Sequence, residues 1–206
     1  GMAFITLSGN LFMLSMAATA ALSTIVFAST LHFGLPVALL SVSVLGIVIG
    51  SIQGLVVGAA RVNPIIATIA VASIVMGIGS YVSGGMTVIG KGDASWLGIG
   101  KFASLVPNQL VIFLAFAIAA NYWVERTRFG RELRLIGLNP ITAAYSGIRV
   151  PRTLVIAFVV AGFSAALAGG LFASQASQGN LKMAAGLDFD AIAAVLVAGI
   201  SIRGGQ

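Results

Sequence analysis

Long apolar runs separated by short polar connections constrain this chain more than any other feature. A run of about 20 apolar residues can cross the hydrocarbon core of a bilayer as a helix. Inside lipid the backbone must satisfy its own hydrogen bonds, so a helix is the form such a run takes. About six candidates follow on that length criterion: Ala3 to Ser29, Leu35 to Gly58, Pro64 to Val82, Asn108 to Val124, Leu154 to Ser174 and Phe189 to Ile202. We expect an all-α, polytopic transmembrane helical bundle, a single membrane domain over residues 1–206. The last segment, which ends in Gly199, Gly204 and Gly205, also fits an intramembrane half-helix. The chain opens directly on an apolar run and stops just after another, so we expect a fragment.

Charge then orients the bundle. Six of the eight arginines, Arg126, Arg128, Arg131, Arg134, Arg149 and Arg152, fall in the connection 125–153. Arginine and lysine beside membrane-length runs mark the cytoplasmic side. With that loop inside, alternation puts Arg61 and Arg203 inside too, and Lys91, Lys101 and Lys182 outside, so every arginine shares one side. The net charge of +6 would suggest nucleic acid in a soluble protein; here topology accounts for it, and no nucleic-acid partner is expected. With no cysteine and one histidine, His32, thiolate zinc sites and Cys nucleophiles are excluded. No metal site and no bound cofactor are expected, and His32, at an external turn, reads as an interface residue.

The basic loop has internal punctuation. Asn139 can cap a helix that starts with Pro140 at its first position, and Gly147 can supply a left-handed stop. About two turns result, too short to be stable alone, so this helix needs a surface to lie against. The arginines by themselves need be only a topology anchor. Together with a capped helix they suggest a knob that docks a soluble partner.

At these residues the chain resembles the permease subunits of ribose/xylose/arabinose-type ABC importers of the bacterial inner membrane. The resemblance rests on Thr127, Arg128, Phe129, Gly130 and Arg131, then Gly137, Asn139, Pro140, Ala143, Ser146, Gly147 and Ile148, and on the Asp190–Val195 run DAIAAV. It implies that the short helix couples to a cytoplasmic ATPase through Gly137, Asn139, Pro140, Ala143, Ser146 and Gly147. The family commonly has an acidic residue where Ile141 stands and a basic one where Ala144 stands. ATP and Mg would sit on the partner ATPase, a periplasmic solute-binding protein would deliver cargo, and a second permease copy would complete a dimer.

Polar residues within the runs are the candidates for a substrate pathway. The first run carries Thr6, Ser8, Gly9 and Asn10; an amide at lipid depth must face the bundle, and Asn10 fits either helix-to-helix bonding or the pathway, since the resemblance implies a glycine-rich, Asp-containing break in a helix near the substrate pathway here, with Asn10 close to the family's aspartate. Gln53 lies beside a glycine stripe, Gly46, Gly50, Gly54 and Gly58, that makes a face for close helix approach; Ala157, Ala161, Ala165, Gly169 and Ala173 repeat the device. Thr68 follows a capped start at Asn63-Pro64. Asp188 and Asp190 open the last segment, where carboxylates suit a helix N-terminus, and Asp190 is the pathway candidate there by resemblance. The external loop 84–107 carries Trp96 and a P-loop look-alike, Gly85, Gly90 and Lys91, but Gly92 stands where Ser or Thr must hold magnesium. This loop is expected to shape the entrance where a binding protein docks.

Three functions are compared. An importer permease needs spanning helices, an inner docking knob and an outer surface; a small neutral sugar would suit Asn10, Gln53 and Thr68, and a branched-chain amino acid or sugar-like signal is the alternative cargo. A secondary transporter more typically shows ionisable groups at mid-membrane, and all of this chain's are read near span ends. An intramembrane enzyme would need a nucleophile and base or metal ligands, and His32 has no evident partner.

Overall fold

The apolar runs become helices because no other backbone arrangement satisfies their amides in lipid. A computed structural model describes residues 1–9, 12–102 and 106–199. In chain order it contains α1 (Met2–Leu7), α2 (Met16–Thr30), α3 (Leu35–Gly58), α4 (Pro64–Ser83), β1 (Val88–Ile89), α5 (Ser95–Gly98), β2 (Lys101–Phe102), β3 (Val106–Pro107), α6 (Asn108–Arg126), α7 (Arg128–Leu138), α8 (Pro140–Tyr145), α9 (Val150–Ala176), β4 (Gln178–Gly179) and α10 (Leu187–Val197). Five segments among the described residues are long and apolar enough to cross a membrane: Met16–Phe33, α3, α4, α6 and α9.

Two segments depart from a simple span. The run expected as one helix from Ala3 to Ser29 is broken: α1 stops at Leu7, Gly9 takes φ +78° and α2 starts only at Met16. The Ser8 hydroxyl donates to the Ile5 carbonyl at 2.7 Å, which closes the last turn of α1 and leaves the chain free to leave the helix axis at Gly9. A Cβ on Gly9 would also lie 3.2 Å from the Gly137 Cα, so α7 presses directly on the break. Within the described residues the last segment is shorter than a full span: the 11 residues of α10 rise about 16 Å, roughly half of the hydrocarbon core, before Gly199 turns left-handed with φ +77°. Ile200 to Gln206 lie outside the described residues, with Arg203, Gly204 and Gly205 among them.

α9 is the axis of the bundle and is packed on two faces. The glycine stripe of α3 meets one of them nearly backbone to backbone. A Cβ on Gly54 would come within 2.7 Å of the Val155 Cα, and one on Gly46 within 2.6 Å of the Gly162 carbonyl. The alanine stripe of α9 faces elsewhere: Ala157, Ala161 and Ala165 pack with Met2, Phe4 and Ile5 of α1, and Gly169 lies against Ala20 and Ser23 of α2. Both stripes are packing faces, as their spacing suggests, but they do not pack on each other. α6 sits at the edge with only 6% of its span buried; Gln109 ties its start to α9 by donating to the Leu171 carbonyl at 3.1 Å and the Ser174 hydroxyl at 3.2 Å.

The two ends of the bundle differ in charge as alternation requires. The α3–α4 turn with Arg61, the segment 126–149 and the start of α9 share one end, where Gly58 lies against Pro151. Lys91, Lys101 and Lys182 fall at the other end, in a folded cap. There β1 pairs antiparallel with β4, Val88 opposite Gly179, the Gly90 amide donates to the Ser177 carbonyl at 2.9 Å, and Leu97 and Ala94 are buried with Phe27, Leu31 and Ala173. Asp93 opens α5 by accepting the Ser95 amide at 2.8 Å. Hydrogen bonds from Ser95, side chain first and backbone second, hold the Asp93 carboxyl below the usual carboxylate range. His32 lies at this end, its Nδ1 2.8 Å from the Ser29 carbonyl.

Candidate functional site

The arginine end carries a small helical knob. α7 follows directly on α6: Thr127, extended at φ −104° and ψ 164°, makes the corner, Gly130 lies on the backbone of Val124, and Phe129 stacks on Trp123 with ring centroids 5.0 Å apart and on Phe4 at 6.2 Å. α7 buries Gly130, Leu133, Ile136 and Gly137 on one face and exposes Arg128, Arg131 and Arg134 on the other. That periodicity, apolar at i and i+3 against basic residues, is readable in the sequence. Read only as topology charge, these arginines give no expectation of a helix at α7. Arg126 lies in the last turn of α6, where a cation complements the helix dipole. Arg149 and Arg152 flank the start of α9 and, with Phe129, Glu132 and Gly147, line a cleft of about 350 Å³.

α8 has the expected punctuation. Asn139 Oδ1 accepts the amides of Ile141 at 2.9 Å and Thr142 at 3.1 Å, Pro140 occupies the first turn, and Gly147 at φ +82° lets its amide reach the Ala144 carbonyl at 3.0 Å. Ser146 donates to the Thr142 carbonyl at 3.0 Å. Ala143 is the buried seat, packed with Ile136 and Leu154. Gly137 does something else: it receives the α1 break at Gly9. Five of the six residues named for coupling thus build and seat the helix, while its outward face consists of Ile141, 67% exposed, and Tyr145, 89% exposed. Together with the α3–α4 turn, α8 borders a concavity of about 730 Å³ that includes Arg61, held left-handed at φ 55°.

The pathway candidates separate into two groups. Gln53 and Thr68 meet at the start of α2: Ser15 donates to Gln53 Oε1 at 2.9 Å, and the Leu14 amide donates to Thr68 Oγ1 at 3.3 Å. Ser15, Gln53 and Thr68 are fully buried. Among the described residues Gln53 Nε2 and Thr19 Oγ1 have no hydrogen-bond partner, which is costly for buried polar atoms. Asn10 lies outside the described residues.

Asp190 does not join this cluster; it is exposed on α10. Asp188 does. Its Oδ1 accepts the Ala17 amide at 2.8 Å, so it caps α2 rather than its own helix. Its neighbours across the cavity are Ala72 and Met76 of α4, about 12–18 Å along α4 from its start and so near the middle of the bilayer. Asp188 stands at the end of its own helix, as expected of an ionisable group, but α10 begins partway along α4 rather than at an end of the bundle. The sequence has no local signal for this, because the contact joins residues 171 positions apart. Among the described residues no group of three His, Cys, Asp or Glu side chains could hold a metal ion.

The described residues thus form a bundle of membrane-length helices with a basic knob at one end and a polar junction at a broken helix. Residues 1–205 match the family model described as the permease component of branched-chain amino acid transport systems, and the chain belongs to that family. Among curated proteins it is similar to the galactose/methyl galactoside import permease protein of Haemophilus influenzae, 34% identical over 83% of this chain and 53% of that protein. It is also similar to the ribose import permease protein of Escherichia coli K12, 33% identical over 82% and 54%, and to the L-arabinose transport system permease protein of the same strain, 30% identical over 75% and 47%. The chain spans about half the length of these relatives. No solved structure matches.

Proposed function

We propose that this chain is the membrane-spanning part of an ABC importer permease in the bacterial inner membrane, carrying a small sugar. A solute-binding protein delivers the sugar at the lysine end, and a separate ATPase binds at the arginine end and supplies ATP and Mg. The observation that carries this reading is α8: a helix too short to persist alone, capped at both ends, with Ile141 and Tyr145 facing outward beside a concavity. Exposed apolar side chains on a folded knob suit burial against a partner. The relatives' names support sugar as cargo, since they import ribose, galactose and arabinose. A second permease copy would cover helix faces left exposed on α3 and α4, and lipid the rest.

Transport then follows from rigid-body motion. ATP binding brings two ATPases together, each α8 follows its ATPase, and α8 moves α9 through the Ala143–Leu154 seat. The family model's own description favours a second cargo, a branched-chain amino acid; ATP-driven uptake of labelled ribose, galactose, arabinose and leucine separates the two. The docking itself is tested by co-purification with the ATPase. Gly147→Leu should abolish co-elution, because a branched side chain at φ +82° costs roughly 1–2 kcal/mol and α8 has little stability to lose. A variant that still co-elutes would place the docking surface elsewhere.

A further inference from the structure

Asp188 is a carboxylate near mid-membrane, and a position of that kind is costly unless it is used. It stands at one wall of a cavity of about 220 Å³ whose other walls are Leu14 and Ala17 of the α2 start, Ala72 and Met76 of α4, and Ala184. Three separate parts of the chain therefore meet around one acidic group and a lining of methyls. The Ala17 amide takes Oδ1, but a carboxylate has about four lone-pair sites, and Asp188 is only half-buried.

We propose that this cavity is a solute-binding subsite in which Asp188 accepts a hydrogen bond from a hydroxyl of an uncharged, hydroxyl-bearing solute. The proposal rests on the importer reading and makes its cargo more specific. A carboxylate only accepts, so it draws hydroxyl donors and repels anions. An amino-acid zwitterion could give its ammonium to Asp188, but its own carboxylate would have no counter-charge: no arginine, lysine or histidine lines the cavity, and the Ala17 amide at the α2 end is already taken. The remaining lining offers no aromatic face for a sugar ring to stack on. Binding therefore rests on a few hydrogen bonds, and a solute held that way can leave again.

The test reconstitutes the permease with its ATPase and binding protein in vesicles and measures solute taken up per ATP hydrolysed. Labelled ribose, galactose, arabinose and leucine serve as probes. If the unsubstituted complex moves none of the four and its binding protein does not stimulate ATP hydrolysis, the importer reading itself fails. If it moves a sugar, Asp188→Asn should lower sugar per ATP about tenfold, the gap between a charge-assisted and a neutral hydrogen bond, because Asn still accepts the Ala17 amide. Ala72→Leu, which fills the cavity from α4 without touching that cap, should lower the same ratio. A ratio unchanged in Asp188→Asn reduces the carboxylate to a cap, and one unchanged in Ala72→Leu takes the cavity off the route. Uptake and hydrolysis falling together in both variants would mean a structural role. Uptake of leucine but of no sugar, sensitive to Asp188→Asn, would overturn the solute class.

Discussion

α4 and α8 start with the same two residues and have different fates. Asn63-Pro64 and Asn139-Pro140 both place an asparagine Oδ1 on the amide two residues on, at 2.9 Å in each case, and both starts border the same concavity at the arginine end, with Pro64 and Pro140 among its walls. α4 then continues for 20 residues through the bundle, whereas α8 stops after six. A cap is worth about 1 kcal/mol in either place. In α4 that is a small part of what holds the helix, because lipid leaves its backbone no alternative. In α8 it is a large part, because six residues cannot sustain a helix in water. Identical local chemistry thus decides one element and only trims another.

The comparison can be tested directly. Asn139→Ala should have the larger effect: amide exchange across residues 140–145 accelerates severalfold, as loss of about 1 kcal/mol implies, and ATP-driven uptake falls while membrane insertion is kept. Asn139→Gly sharpens the test, since glycine at a cap costs only a few tenths of a kcal/mol; exchange should stay near the unsubstituted rate. Asn63→Ala should leave uptake and the amount of folded protein unchanged, and a loss as large as that of Asn139→Ala would end the distinction between the two helices.

The smallest effect belongs to a similar contact made one residue ahead of a helix's cap position, which in α5 is Ala94. Asp93 accepts the amide two residues on, at α5 in the lysine-end cap, but its acceptor can be protonated. Because the folded carboxyl is held below its usual range, its contribution is fully present above the unfolded value of about 3.9 and is lost as pH falls through the lowered one. Trp96 emission, read in a Trp123→Phe background, should hold steady down to about pH 4, shift as the pH is taken further down through the lowered range, and stay flat in Asp93→Asn.

The starts of these helices were legible because a cap is a local event. Asn63, Asn139 and Gly147 each act within a few residues of their own position, and the structure has them doing so. Apolar length also placed α3, α4 and α9 closely, and charge alternation placed the described arginines and the lysines at opposite ends. What escaped depended on partners distant in the chain. The break at Gly9 lies in an apolar run that hydropathy reads as continuous; only the family resemblance points to a glycine-rich break there, and the close approach of Gly137 of α7 has no local signal. Asp188 and Asp190 are indistinguishable as a sequence pair; only the fold brings one to Ala17 and leaves the other exposed. α7 is different, for its periodicity was present in the sequence and was hidden by counting its arginines as charge alone.

The near contact of α3 and α9 has a mechanical consequence. Two helices that meet largely through backbone atoms leave few side chains between them to re-pack, so the contact stiffens α9 like a braced beam. Its 27 residues make it about 40 Å long, with α8 seated near one end at Leu154 and the lysine-end cap resting on the other at Ser174. On such a beam a tilt of about 5° at one end becomes a displacement of about 3.5 Å at the other, a simple consequence of its length. α9 is thus a lever with the knob as its handle.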